Sequence, residues 1–163
     1  ALALIAVGHV QAWNHLLGDD LAGAAPAAKH HVRLTLQGRN DLPKHLLVSA
    51  ALASNADTAV ADVVGVYKEV KDSQGGSGFS FVDLTADRAG VRLADKAVNA
   101  PRGLQRAIAG IGKESDLIPP TKDLAEGLQA AEFERRYRDF DSAEYKRVIA
   151  LIERRLDRLP LYQ

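Results

Sequence analysis

Apolar residues recur along this chain mainly at helical spacing. Near the middle, one stripe keeps the three- and four-residue steps of a helix face turned toward a core: Val60, Val63, Val64, Tyr67 and Val70. A second stripe near the carboxyl end has the same steps: Tyr145, Val148, Ile149, Ile152 and Leu156. Alternation of the strand type is confined to the short run VRLTLQG. The pattern therefore predicts an all-α fold, with at most a minor strand near 32–37.

Local start and stop signals divide the apolar pattern into separate helices. Asp41 or Asn40 can cap a helix over 42–54, with Pro43 in its first turn. Ser80 followed by Asp83 is a capping-box pattern for a helix running to about residue 98. Further helices are predicted over 1–17, over 57–72, after Pro101, around AAEFERRYRDF and after a capping box at Asp141 and Glu144.

These segments fit one helical domain spanning residues 1–163, since the length is usual for a single domain. Residues 1–40 are predicted to form an N-terminal helix and a linker. Residues 41–98 form a three-helix core that carries the polar motifs, and residues 99–163 form the C-terminal helices. The paired prolines of SDLIPPTKDLAEGL predict an irregular connection. We expect an irregular bundle of about six helices.

Composition narrows the function only by exclusion. The 21 Lys and Arg balance the 21 Asp and Glu, so no net charge favours nucleic acid, and none is expected as a partner. The absence of cysteine excludes a thiolate nucleophile or thiolate metal site. The apolar opening ALALIAVGHV is too short to span a bilayer, so no transmembrane span is expected. Because the chain begins with Ala instead of Met, we expect a processed or trimmed protein.

Two carboxylates stand at the unfavourable end of the predicted 57–72 helix. Glu69 and Asp72 lie in its last turn, where the helix dipole disfavours negative charge. Gly65 shares their face, and a glycine inside a helix costs roughly 1 kcal/mol against alanine, which indicates a close approach there. A functional site explains the two carboxylates and the glycine on one helix face better than an ordinary solvent-exposed surface does.

The next helix carries a matching stripe of Asp83, Asp87 and Gly90. If the glycine-rich turn QGGSG, with Gly76 and Gly78, folds the two helices antiparallel, Gly65 and Gly90 permit close contact. Glu69, Asp72, Asp83 and Asp87 then meet at the turn end. Asp83 and Asp87 also have a simpler explanation, because carboxylates are favourable at a helix N-terminus.

The helix over 42–54 adds His45, with Asp41 one turn before it and Ser49 one turn after it. Carboxylates brought together repel unless a cation joins them or one retains its proton. The first outcome predicts a divalent metal, Mg, Mn or Ca in preference to Zn, with these ligands: His45, Glu69, Asp72, Asp83 and Asp87. The second outcome gives an acid and a base for hydrolysis. A structural salt-bridge network involving Arg88 is the third interpretation.

The ordered motifs DLPKH, KEVKDS and GSGFSFVDLTADRAG resemble the YfiM-type predicted periplasmic lipoproteins, a domain of unknown function. They are more distantly similar to VanZ-like membrane proteins, which place an Asp and a His before a helix and a Ser-x-x-Asp motif after a glycine turn. The similarity covers about residues 41–90. It implies a periplasmic or envelope setting and a shared polar constellation, but no reaction. The lipidated cysteine of the family is absent here, which places a lipid anchor in question.

Two functions follow from this reasoning. The first is a bacterial cell-envelope hydrolase, either metal-dependent or similar to a cell-wall glycosidase, with Glu69 as general acid and Asp72 and His45 in the catalytic site. The second is a non-enzymatic envelope module whose motif locks the helices together. The structural motif consists of Asp41, Gly65, Gly76, Gly78, Ser80, Asp83 and Gly90. We expect peripheral association with membrane or cell wall, although a cytoplasmic location also fits the composition.

Overall fold

The computed structural model describes residues 33–55 and 78–163. Within them the chain forms five α-helices: α1 (Leu42–Asn55), α2 (Phe81–Asn99), α3 (Pro101–Ala109), α4 (Ala130–Tyr137) and α5 (Ala143–Asp157). Short 3-10 turns lie at Glu114–Asp116 and Pro160–Tyr162. The described residues contain isolated β-bridges but no strand, so the predicted all-α class is confirmed. The predicted helices over 1–17 and 57–72 lie outside the described residues.

The start of α2 is fixed by its own sequence. Ser80 has an extended backbone, and its hydroxyl accepts a 3.0 Å hydrogen bond from the backbone N–H of Asp83. This is the N-cap that the Ser80 and Asp83 pattern predicts, and it satisfies one of the amides that a helix leaves without an internal partner. The cap also fixes the first turn of α2, which carries Asp83.

Helices α1 and α2 pack along each other and come into close contact at Gly90. A Cβ atom at Gly90 would lie only 2.1 Å from the carbonyl oxygen of Leu46 on α1. The sequence prediction paired Gly90 with Gly65, which lies outside the described residues. Among the described residues, Gly90 contacts the backbone of α1, and the pairing with Gly65 stays a prediction.

Aromatic side chains fill the core on the other side of the α2 start. The cluster consists of Phe79, Phe81, Phe133, Tyr137, Phe140 and Tyr145. The Phe79 and Phe81 side chains are fully buried, and the Phe79 and Phe133 ring centroids lie 4.7 Å apart. Ile152 and Leu156 of α5 are also fully buried, as the C-terminal apolar stripe predicts.

Two local predictions need correction. Residues 36–39 form a tight turn instead of continuing a strand, because Gln37 and Gly38 have φ values of 52° and 75°. The Leu36 and Arg39 backbones exchange hydrogen bonds of 2.8 and 2.9 Å across this turn. The cap of α5 is Ser142 instead of Asp141, since the Ser142 hydroxyl accepts from the Tyr145 N–H at 3.1 Å. The Asp141 N–H bonds the Asp139 side chain in the preceding loop.

The irregular segment between α3 and α4 returns to the start of α2. Phe79 and Leu128 exchange backbone hydrogen bonds of 2.7 and 3.0 Å, and the Phe81 N–H donates to the Ala125 carbonyl at 2.9 Å. At Gly78, where φ is +89°, a Cβ would lie 2.4 Å from the carbonyl carbon of Gly127. This contact sets two glycine backbones side by side.

None of the helices in the described parts of the chain is long and apolar enough to cross a membrane.

Candidate functional site

A cavity of about 320 Å³ opens where the 36–41 turn, the start of α1, the start of α2 and the 125–128 loop meet. Its lining is mostly charged or polar: Arg39, Asp41, His45, Gly78, Ser80, Asp83, Glu126 and Gly127. Three carboxylates, one guanidinium and one imidazole therefore share one concave surface. Such a concentration of ionisable groups in a pocket is typical of binding and catalytic sites.

His45 is fixed from behind by a buried carboxylate. Its Nδ1 lies 3.1 Å from Asp87 Oδ1, and the Ser49 hydroxyl donates to the same oxygen at 2.8 Å. Because a carboxylate only accepts hydrogen bonds, Nδ1 carries the proton in this arrangement. Only 8% of the Asp87 side chain and 11% of the His45 side chain are exposed. The ring is therefore held in one orientation.

The other ring nitrogen faces Asp83. The distance between His45 Nε2 and Asp83 Oδ2 is 3.5 Å, longer than an ordinary hydrogen bond. Only 12% of the Asp83 side chain is exposed, and its second oxygen lies 3.4 Å from the guanidinium of Arg39. Asp83 thus stands between an imidazole and a guanidinium without a short hydrogen bond to either of these two groups.

Arg39 is held mainly by two other carboxylates. It makes two hydrogen bonds to Asp41, at 3.0 and 2.6 Å, and a further short contact to Glu126. The hydrogen bond from Arg39 lowers the pKa of the Asp41 carboxyl from 3.8 to about 2. The same hydrogen bond raises the pKa of the Arg39 guanidinium above its usual value. Both groups are therefore ionised at neutral pH, and Arg39 has little capacity left for an anionic ligand.

One buried polar atom at the site stands out. Asp87 Oδ2 has no hydrogen-bond partner among the residues that the structure describes. Leaving a carboxylate oxygen in this state costs free energy unless another group compensates the charge. The back of the site therefore carries negative charge that the described side chains only partly satisfy.

The structure brings together five of the residues predicted from the sequence: Asp41, His45, Ser80, Asp83 and Asp87. Gly78 lines the same cavity, and Gly90 holds α2 against α1 one turn farther along. Glu69, Asp72, Gly65 and Gly76 lie outside the described residues. Within residues 33–55 and 78–163, no three His, Asp or Glu side chains converge as a ready-made metal cage.

The sequence prediction missed Arg39, Glu126 and Gly127. Glu126 lies far along the chain from Arg39, and no local pattern connects them. The usable signals in the sequence were Gly38, which favours a turn just before Arg39, and Gly127, which allows a close backbone contact.

The geometry suits proton transfer more directly than nucleophilic attack by a side chain. His45 has the two neighbours that a general base needs, an orienting carboxylate and an open cavity. Ser49 is buried and its hydroxyl donates a hydrogen bond to Asp87. It therefore supports the contact between Asp87 and His45 and is not a candidate nucleophile.

No family model, no curated protein and no solved structure matches this chain. The resemblance to the YfiM-type lipoproteins therefore stays a prediction from the motifs. The functional argument rests on the geometry of the cavity.

Proposed function

We propose that this chain is a bacterial cell-envelope hydrolase in which His45 acts as the general base. The observation that carries the proposal is the contact of His45 Nδ1 with the buried Asp87, which leaves the Nε2 edge of the ring beside Asp83 at the cavity. A base held by a third group in a concave polar site is the arrangement that acid–base catalysis requires.

In this mechanism a water molecule enters the cavity and gives a proton to His45 Nε2. The water oxygen forms the new bond to the electrophilic centre of the substrate, the bond from that centre to the leaving group breaks, and the leaving group takes its proton from a general acid. Asp87 stabilises the imidazolium that forms, because the negative charge lies 3.1 Å from Nδ1. The sequence predicts Glu69 as this general acid, and Glu69 lies outside the described residues. The envelope setting is supported by the motif resemblance alone.

An activity panel tests this proposal. The full chain is assayed with nitrophenyl acetate, nitrophenyl phosphate, a nitrophenyl N-acetylglucosaminide and a cell-wall glycan suspension. With the substrate that is turned over, His45→Gln should lower kcat by about 10²–10⁴-fold, the usual contribution of a general base. Asp87→Asn should shift the pH profile as well as the rate, because it changes the partner of Nδ1. Lys146→Gln, at an exposed position on α5 away from the cavity lining, is the control and should leave the activity unchanged. Full activity in His45→Gln would refute the role of His45.

The second candidate is a structural envelope module in which the motif locks α1 to α2. The close contact of Gly90 with Leu46 favours it, and the hydrogen bonds from Ser49 and His45 to Asp87 join the same two helices. The thermal midpoint of Asp87→Asn separates the candidates. A catalytic pair leaves most of the stability intact when activity falls, whereas a lock loses stability and shows no turnover of any substrate.

A further inference from the structure

We propose that the end of the fold formed by α3 is a docking face for an anionic lipid bilayer. The α3 face consists of five exposed residues: Val98, Arg102, Arg106, Ile108 and Arg158. This inference goes beyond the proposed function. Lipid binding requires no catalysis, so it holds or fails whether or not the cavity hydrolyses a substrate.

Contacts among three elements bring these residues to one end of the fold. Helix α2, helix α3 and the Pro160–Tyr162 turn each contact the other two. The Lys96 Nζ donates a 2.7 Å hydrogen bond to the backbone carbonyl of Gln163, so the turn lies against the last part of α2. Arg158 stands just before this turn, at the C-terminal cap of α5. The end of α2, α3 and the end of α5 are therefore neighbours.

The arginines make the α3 face positive. Arg102 and Arg106 are one helical turn apart and share one side of α3. Within the part of the chain that the structure describes, no carboxylate forms an ion pair with either of them or with Arg158. Asp157, the acid next to Arg158, binds Arg92 instead. Guanidinium groups without an acidic partner are suited to bidentate binding of phosphate.

The surrounding sequence reinforces this charge. Residues 96–113 include four Lys or Arg and no Asp or Glu. The acids at the two edges already accept hydrogen bonds, Asp95 from the Asn99 side chain and Glu114 from the Gln37 backbone N–H. The positive charge of the α3 face is therefore not cancelled by an acid on α3 itself.

Apolar side chains stand beside the arginines. In the described part of the chain, the exposed large hydrophobic side chains are Val98 and Ile108, 60% and 51% exposed. Leu104, on the inner side of α3, is buried and belongs to the core. Peripheral binding to anionic lipid uses both kinds of side chain, because cations attract the headgroups and apolar groups enter the interface. Nucleic acid would engage the arginines but leave the aliphatic side chains exposed, so lipid fits the α3 face better.

The α3 face lies away from the cavity. Asp83 lines the cavity at the start of α2, whereas Val98 is near its end, about 22 Å farther along the helix axis at about 1.5 Å per residue. Substitutions in the α3 face therefore leave the cavity lining in place. Lipid binding and hydrolysis can be tested separately.

Co-sedimentation of the full chain with lipid vesicles tests the proposal. We expect binding to phosphatidylglycerol vesicles to be at least about 10-fold tighter than to phosphatidylcholine vesicles, since each basic residue near an anionic surface strengthens binding about fivefold. Arg102→Gln/Arg106→Gln should weaken binding to phosphatidylglycerol by about 10–25-fold. Arg147→Gln/Arg154→Gln is the matched control, because it removes the same charge from exposed arginines of α5 outside the α3 face.

A fluorescent label gives a site-specific readout. The apolar opening ALALIAVGHV could also bind lipid, so binding of the unsubstituted protein does not by itself locate the contact. The chain has no cysteine, so Ile108→Cys can carry a polarity-sensitive fluorophore at one position. Its emission should shift to the blue when phosphatidylglycerol vesicles are added, whereas the same label on Lys146→Cys should show no shift.

Four results would each overturn the inference. They are no binding to phosphatidylglycerol vesicles, equal binding to the two lipids, equal losses in the two double variants, or unchanged emission of labelled Ile108→Cys. Tighter binding of a single-stranded oligonucleotide than of the vesicles would also overturn it, because the α3 face would then be a nucleic-acid surface.

Discussion

The N-terminal half of α2 lies between two regions that are stabilised in different ways. One region is polar: Asp83 and Asp87 meet His45 and Ser49 of α1, and Gly90 meets the backbone of Leu46. The other is aromatic, with Phe79 and Phe81 packed among the rings of α4, α5 and the loop between them. A few directional contacts hold the first region. Many overlapping apolar contacts hold the second.

The difference indicates that the two regions contribute differently, one to stability and the other to the geometry of the site. Burial of apolar surface is non-directional and roughly proportional to area, so the buried rings stabilise the fold mainly through the area they remove from water. Hydrogen bonds to a buried carboxylate fix distances, but each one that is lost leaves a polar group unsatisfied. The aromatic region should therefore dominate the free energy of unfolding, and the polar region should set the geometry of the site.

The largest effect is expected in the aromatic region. Phe79→Ala removes a fully buried ring that contacts four other aromatic side chains. It should lower the free energy of unfolding by about 3–5 kcal/mol, measured by urea denaturation. Phe79→Leu keeps most of the volume and should cost less than about 1.5 kcal/mol. Equal losses in the two variants would show that volume is not what the ring supplies.

The next effect tests the helix contact in the polar region. Gly90→Ala places a Cβ 2.1 Å from the Leu46 carbonyl oxygen, so α1 and α2 must separate. We expect a loss of about 3 kcal/mol, the upper part of the usual range for overpacking. Gly103→Ala is the control, because its Cβ would meet only the Ala100 Cβ at 3.8 Å and α3 should gain up to about 1 kcal/mol of helix propensity. A neutral Gly90→Ala would mean that the helices are not in close contact.

A smaller effect isolates the Asp87 hydrogen bonds. Ser49→Ala removes the 2.8 Å donor to a buried carboxylate and should cost about 1.5–3 kcal/mol, the range for a hydrogen bond to a charged group. The comparison is Thr85→Val, which removes a buried hydroxyl bonded to the Phe81 backbone carbonyl at 2.7 Å and should cost about 1 kcal/mol. The thermal midpoint of Ser49→Ala should therefore be lower than that of Thr85→Val. The reverse order would show that the hydrogen bond to Asp87 contributes less stability than a hydrogen bond to a neutral carbonyl.

The smallest effect depends on pH. The pKa of Asp41 falls from 3.8 to about 2 on folding because Arg39 hydrogen-bonds the ionised form. Its stabilisation is therefore complete above the unfolded pKa and is lost as the pH falls through the folded pKa. Since 41% of the side chain is exposed, we expect less than about 1 kcal/mol. The stability difference between wild type and Asp41→Asn, measured by urea denaturation, should shrink between about pH 5 and pH 2. A constant difference would contradict this assignment.

Local features of this fold could be read from the sequence because their causes are local. The Ser80 cap depends on residues three apart, and the shared faces of Asp41 with His45 and of Asp83 with Asp87 follow from the helix period. The α5 cap was wrong by one residue because Asp141 and Ser142 are both good caps, and only the loop geometry selects Ser142.

Contacts between distant segments could not be predicted in this way. The partner of Gly90 depends on which helix lies against α2, and the glycine alone does not indicate that this partner is Leu46. Arg39 and Glu126 meet because the loop between α3 and α4 returns to the 36–39 turn, which no local pattern indicates. Sequence reasoning thus found the candidate side chains on α1 and α2, but not the arginine and the loop that enclose them.

The paired backbones of Phe79 and Leu128 have a consequence for the order of folding. Both residues of this bridge come from segments far apart in sequence, and closing such a loop costs entropy before any contact repays it. Helices α1 and α2 can each form from local signals, but the cavity has no wall at Gly127 until the bridge closes. The site should therefore be absent from any early helical intermediate and should appear only with the complete native chain.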